Sequence, residues 1–187
     1  NRNCIATDSV TIIENPQLAG TAAVTQEFAC NADNSVAVGE ITITVTPGTG
    51  TAPYLYSIDG TNFGSDNSFD IIDNGTNQTI NFTVKDANGC IIPVSATINA
   101  LPVITNATVA QVTAITCDNP ETARITVTGG SGDFTYTLLP SGPSQSLVSN
   151  TADFVLTTPS DYTFRVTDNT TGCFFTTLPY TVSPYNT

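Results

Sequence analysis

The residues of this sequence with chemistry to offer are five cysteines and a set of aspartates; there is no His at all. Cys4 to Cys90, Cys90 to Cys173 and Cys30 to Cys117 are each about 85 residues apart. Recurring thiols fit disulfides formed in an oxidising compartment. Zinc fits poorly, because no Cys-x-x-Cys pair is present and imidazole is missing. Asp59, Asp66, Asp86 and Asp168 lie in polar stretches with Gly and Asn, which makes them candidate oxygen ligands for Ca2+. No other cofactor is indicated. Asp59-Gly-Thr-Asn-Phe-Gly-Ser-Asp66 lacks both the EF-hand order of ligands and its terminal Glu, so a hairpin turn is the simpler reading. Asp86-Ala-Asn-Gly and Asp168-Asn-Thr-Thr-Gly read the same way, with side chains that cap the turn.

Catalysis finds no constellation to rest on. Without His the commonest general acid-base group is absent. There is no Gly-x-Ser-x-Gly elbow, phosphate loop or Cys–His pair. A carboxylate pair alone, the minimum for glycoside hydrolysis, arises by chance in any sandwich this acidic. No catalytic residue is assigned, and the chain is expected not to be an enzyme.

Charge narrows the partners. Asp and Glu total 16 against four Lys and Arg, a net charge of −12. Arg2, Lys85, Arg124 and Arg165 are too few and too scattered to neutralise phosphates, which excludes nucleic acid and disfavours an anionic membrane surface. No apolar run is long enough to span a bilayer as a helix. The chain opens at Asn1 with no signal-peptide pattern and is expected to be a segment of a longer mature protein.

The elements that position these residues repeat. Phe82-Thr-Val-Lys-Asp-Ala-Asn-Gly-Cys90 parallels Phe164-Arg-Val-Thr-Asp-Asn-Thr-Thr-Gly-Cys173. Ile41-Thr-Ile-Thr-Val45 parallels Ile125-Thr-Val127, and Tyr54-Leu-Tyr-Ser-Ile58 parallels Phe134-Thr-Tyr-Thr-Leu138. Within each run apolar residues alternate with Thr or Ser, the period of a half-buried strand. Several such strands joined by turns predict an all-β chain of tandem immunoglobulin-like antiparallel β-sandwiches. The expected units are the last strand of a preceding repeat over 1–15, repeat 1 over 16–101 and repeat 2 over 102–187.

Two cysteine pairings follow from this arrangement. The first closes each repeat, Cys30 with Cys90 and Cys117 with Cys173, and leaves Cys4 for the preceding unit. The second starts from strand direction. Cys30 and Cys117 end the first strand, whereas Cys90 and Cys173 follow the last hairpin turn, at the opposite end of a sandwich. Bridged Cα atoms must approach within roughly 7 Å. Cys30 of one repeat then meets Cys173 of the next. The sequence leaves both open.

Cys30, Tyr54 to Gly60 and Val84 to Cys90, with Cys117, Gly129-Gly130, Tyr136 and Val166 to Cys173, resemble the SprB-type repeats of Bacteroidetes surface proteins, which include gliding-motility adhesins exported by type IX secretion. The Leu-x-x-Gly-x-Tyr step usual in that family is replaced by Asn77-Gln-Thr-Ile-Asn-Phe82 and Pro159-Ser-Asp-Tyr162. The resemblance implies a secreted, cell-surface fibre or stalk whose partners are neighbouring repeats, further copies in a fibre, or surface glycans and proteins. Asp8-Ser9-Val10 is similar to the O-glycosylation motif of secreted proteins from those bacteria, which makes Ser9 a glycosylation candidate. The leading expectation is a structural and adhesive stalk segment. The alternatives are a carbohydrate-binding or spacer module of a secreted enzyme, and a filament subunit assembled by strand exchange through residues 1–15.

Overall fold

A computed structural model describes residues 8–10 and 16–185. The described residues hold strands and no helix, as the β-branched composition dictates. The first repeat supplies β1 (Gly20–Gln26), β2 (Gly39–Val45), β3 (Leu55–Ser57), β4 (Ser68–Ile71), β5 (Gln78–Lys85) and β6 (Ile91–Ile98). The second supplies β7 (Ile104–Thr113), β8 (Glu121–Gly129), β9 (Phe134–Leu139), β10 (Ser144–Leu147), β11 (Thr151–Leu156), β12 (Ser160–Asp168), β13 (Phe174–Thr176) and β14 (Tyr180–Val182).

One division of strands serves both repeats. Sheets β1-β2-β4 and β3-β5-β6 form in the first; β11-β8-β7 and β10-β9-β12-β13 form in the second, where β14 also pairs with β12. The pairs β3–β5, β7–β8, β8–β11, β9–β12 and β12–β13 are all antiparallel. This is the strand order of an immunoglobulin-like sandwich. By contacts the chain falls into two compact units that do not follow the repeat boundary. One holds the described residues up to Thr25 with Ile41–Phe69 and Thr79–Thr97; the other holds Gln26–Glu40, Asp70–Gln78 and the described residues from Ile98 onward.

In the second unit Ile125, Phe134, Tyr136, Phe154, Leu156, Phe164, Val166 and Val182 form one buried cluster drawn from both sheets. Phe154 and Phe164 stack across it with centroids 5.0 Å apart. Residues contributed by the first repeat, Phe28, Ile71 and Ile98, are also buried within this unit. In the first unit Ile41, Ile43, Phe82 and Val84 are buried, and Phe69 joins Phe82 at 5.0 Å. The alternation read along β2, β5, β8 and β12 therefore faces the core as expected.

Strand β3 departs from it. Tyr54 and Tyr56 are half-buried, Ile58 is exposed, and Ser57 is the buried residue. The strand stops at Ser57, whose hydroxyl donates to the Asp59 carboxylate at 2.8 Å, so Ile58 lies beyond the pleat. Exposed strand faces carry hydroxyl pairs instead: Thr79–Thr97 at 2.9 Å, Thr135–Ser146 at 2.8 Å and Thr137–Ser144 at 2.9 Å. Such cross-strand pairs fix register without apolar surface.

Two tyrosines lock the second unit. Tyr162, at the start of β12, donates its hydroxyl to the Thr158 carbonyl at 2.7 Å. That is the tyrosine corner of immunoglobulin-like folds. In the first repeat the chain at the start of β5 is tied differently, by the Gln78 amide donating to the Ile72 carbonyl at 3.0 Å. Tyr180 donates to Glu121, a buried carboxylate that also accepts from the Gln111 amide at 3.0 Å. Burial, then the Glu121 charge, pushes the Tyr180 phenol up to about 12.

Removing either hydroxyl tests these roles. Tyr162→Phe loses a neutral bond at the surface and is expected to cost about 1 kcal/mol. Tyr180→Phe strips a partner from a buried charge and is expected to cost about 2 kcal/mol. Urea unfolding of both variants reads the order; an equal or reversed loss would contradict the assignment of Glu121 as the more demanding acceptor.

Candidate functional site

The two Gly-Cys turns are built alike. In the turn from β12 to β13 the Asp168 carboxylate accepts from the Ser131 N–H at 2.6 Å, the Ser131 hydroxyl at 2.8 Å, the Thr170 N–H at 2.9 Å and the Thr171 N–H at 3.1 Å. In the turn from β5 to β6 the Asp86 carboxylate accepts from the Thr51 N–H at 3.0 Å, the Asn88 N–H at 3.0 Å and the Cys90 N–H at 2.8 Å. Both aspartates are buried. Each ties its turn to the corner after the second strand of its repeat. That corner needs glycine: Gly50 and Gly130 have φ of 59° and 74°, and a Cβ on Gly130 would lie 2.9 Å from the Asp168 oxygen.

The calcium candidates are thus spoken for in part. Asp59 caps its own turn, accepting from the Thr61 and Asn62 N–H groups at 2.8 and 2.7 Å, from the Asn62 amide and from Ser57. These bonds hold its carboxyl far below the usual range. Burial pushes the Asp86 carboxyl up, but the N–H bonds from Cys90, Thr51 and Asn88 outweigh it and the net shift is downward. Asp66 is exposed. Among the described residues no three Asp, Glu or Cys side chains gather in metal-binding geometry.

Of the two pairings left open by the sequence, the structure contains Cys30–Cys173, with Cα atoms 4.8 Å apart and a sequence separation of 143. Both cysteines lie in the second compact unit. Backbone bonds flank the bridge: the Cys30 N–H donates to the Thr171 carbonyl at 2.8 Å, and the Phe174 N–H donates to the Asn34 side chain at 2.7 Å. Asn34 takes φ of 67°, a left-handed conformation that Asn tolerates. Arg165 stacks on the Phe174 ring at 4.4 Å. Cys90 and Cys117 are free thiols, both exposed. Cys4 lies outside the described residues; Ser9 is exposed.

Sequence reasoning missed Thr51, Ser131, Asn34 and Glu121. A hydroxyl residue directly after Gly50 and Gly130 was the available signal for the first two. A groove of about 490 Å³ runs between β7 and the β13–β14 edge, lined by Ala107, Val109, Phe175, Leu178 and Tyr180 among others. No carboxylate, thiol or cationic side chain lines it.

Among known proteins, residues 22–63 match the family described as SprB repeat. No curated protein matches the chain. The D00-D0 domain of intimin aligns over 89% of this chain and 100% of its own, at 12% identity and a TM-score of 0.39. The Bacteroides ovatus mixed-linkage glucan utilization locus protein SGBP-B, solved with a mixed-linkage heptasaccharide, aligns over 90% at 16% identity and a TM-score of 0.29. Protocadherin gamma B7 extracellular cadherin domains 1–4 align over 90% at 14% identity and a TM-score of 0.30. This chain spans 48% and 51% of the last two.

Asp59, Asp86 and Asp153 all titrate below the ordinary carboxyl value of 3.8, the last because Arg124 bonds it at 2.7 Å. A carboxyl depressed in the fold contributes stability that is complete above its unfolded value and is lost as pH falls through the folded one. The urea midpoint is therefore expected to be flat from neutrality to about pH 5 and to fall steeply below about pH 4. Asp168→Asn, which sets an amide against the Ser131 N–H, is expected to cost about 2 kcal/mol at neutral pH. A midpoint that rises on acidification would contradict the first expectation, and an unchanged Asp168→Asn midpoint the second.

Proposed function

We propose that this chain, whose residues 22–63 match the SprB repeat family, is a load-bearing structural segment of a longer secreted repeat protein that forms an adhesive fibre at a cell surface. One observation carries the reading: a disulfide joins a loop of the first sequence repeat to a turn of the second. Tension applied at the two ends of the chain passes through that covalent bond. The residues between Cys30 and Cys173, which include most strands of both repeats, are shielded from it. The functional aspartates support the same reading, since their oxygens are used to hold turns rather than to face a substrate. The reading needs no catalytic group.

Single-molecule pulling tests it. With the bridge intact, extension is expected to stop short by the chain between the two cysteines, a separation of 143 positions. Reduction is expected to release about 50 nm more, at roughly 3.5 Å per residue. Equal extension in both states would remove the load-bearing reading. Specific retention on a glycan array by the oxidised chain would instead favour the carbohydrate-binding alternative.

A further inference from the structure

Cys90 and Cys117 are chemically spare, but each has a bonded counterpart in the same chain. Cys90 ends its Asp86 turn as Cys173 ends its Asp168 turn. In both, the Asp N–H donates to the Cys carbonyl, at 3.0 Å from Asp86 and 2.8 Å from Asp168. The preceding glycines share a left-handed backbone, φ 83° at Gly89 and 74° at Gly172. Cys117 lies between β7 and β8 as Cys30 lies between β1 and β2. What differs is cover. A Cβ on Gly172 would lie 3.3 Å from the Cys30 carbonyl, whereas one on Gly89 would meet nothing within 4 Å. Cys173 is buried and Cys90 exposed; Ile91, which follows Cys90 as Phe174 follows Cys173, is 57% exposed. Beside Cys117 an open concavity of about 210 Å³ is lined by Ile115, Thr116, Asp118 and Pro120.

We infer that Cys90 and Cys117 are two halves of further inter-repeat disulfides: Cys117 bonds the Gly-Cys turn of the repeat that follows, and Cys90 bonds the Cys30-type loop of the repeat that precedes. This rests on the fibre reading for the existence of those neighbours. The reaction is thiol–disulfide exchange with a low-molecular-weight disulfide. One cysteine thiolate attacks it and expels a thiolate; the partner thiolate then attacks the mixed disulfide at the protein sulfur and expels the second. The protein gains an S–S bond, the oxidant becomes two thiols, and the two cysteine protons end on those thiols. Because Cys117 precedes Cys173 in the chain, successive bridges overlap, so each repeat lies within two covalent loops.

The test joins two copies in one polypeptide. Pro16 of the second follows Ser183 of the first, and Cys4→Ser leaves each copy with Cys30, Cys90, Cys117 and Cys173. After oxidation with oxidised glutathione, non-reducing peptide mapping is expected to give a link from Cys117 of the first copy to Cys90 of the second. Cys30–Cys173 is expected in both copies. Alkylation of that Cys117 and Cys90 with Cys30–Cys173 intact, or any other pairing of the two, would overturn the inference and leave the fibre reading standing. In parallel the single Cys4→Ser chain, oxidised at high concentration, is expected to form a reducible ladder of oligomers by the same link between molecules. Cys90→Ser and Cys117→Ser should each abolish the ladder. Its absence in the parent, or its survival in either variant, would count against the inference even if the fused protein fails to fold.

Discussion

A buried carboxylate at each Gly-Cys turn fixes the geometry on which the bridge depends. Removing Asp168 from water carries a desolvation penalty of several kcal/mol, which only a nearly complete set of donors offsets. Ser131, Thr170 and Thr171 supply those donors. The turn is thereby tied to a corner 37 residues earlier, and Cys173 is presented in one orientation. Charge matters more than shape here. An ionised acceptor gives hydrogen bonds about twice as strong as a neutral one, and all four donors are aimed at oxygen. A chain with 16 acidic residues buries Asp86 and Asp168 at the Gly-Cys turns and Glu121 at the start of β8.

The same device serves two fates. Asp86 and Asp168 hold turns of the same kind that differ by one residue in length, yet Cys173 is bridged and Cys90 is free. Oxidation is therefore decided by what is brought opposite the turn, not by the turn itself. Opposite Cys173 stands the loop from Ala29 to Ala37, closed by its own backbone bonds and by the Asn31 to Ser35 contacts. Two further bonds, from Cys30 to Thr171 and from Phe174 to Asn34, flank the sulfur atoms and use no sulfur atom themselves. They hold the thiols at short range, which raises the effective concentration of one for the other.

Much of the fold was legible because period-2 alternation reports burial directly. Ile41 and Ile43, Phe82 and Val84, and Phe164 and Val166 are all inward and buried, as their spacing requires. Strand β3 was not legible. Its apolar residues continue the alternation, but the Asp59 turn ends the strand before Ile58 reaches the core. Glu121 escaped notice for a related reason: a charged residue at a strand start reads as surface until a distant tyrosine and glutamine are seen to reach it. The recurring cysteine spacing gave one candidate pairing and strand direction the other, and only three-dimensional distance separates them. The contact boundary, which cuts across β1, β2, β4, β5 and β6, had no signal in the sequence, since it follows no linker.

Covalent topology explains why modest strands suffice. Several strands have three or four residues, and the exposed faces carry hydroxyl pairs worth a few tenths of a kcal/mol each. Such sheets would shear readily if pulled end to end. A bridge between cysteines 143 positions apart takes an end-to-end pull off the enclosed strands. It also narrows the unfolded ensemble, an entropic effect that grows slowly with loop size and amounts to several kcal/mol for a loop this long. The surface is then free to be chosen for other ends. A net charge of −12 with few cations sets up like-charge repulsion between copies, and Pro179, between β13 and β14, has no N–H to offer a pairing strand. Covalent continuity along the chain thus comes from cysteine held by buried aspartate, and like-charge repulsion between copies from the acidic surface.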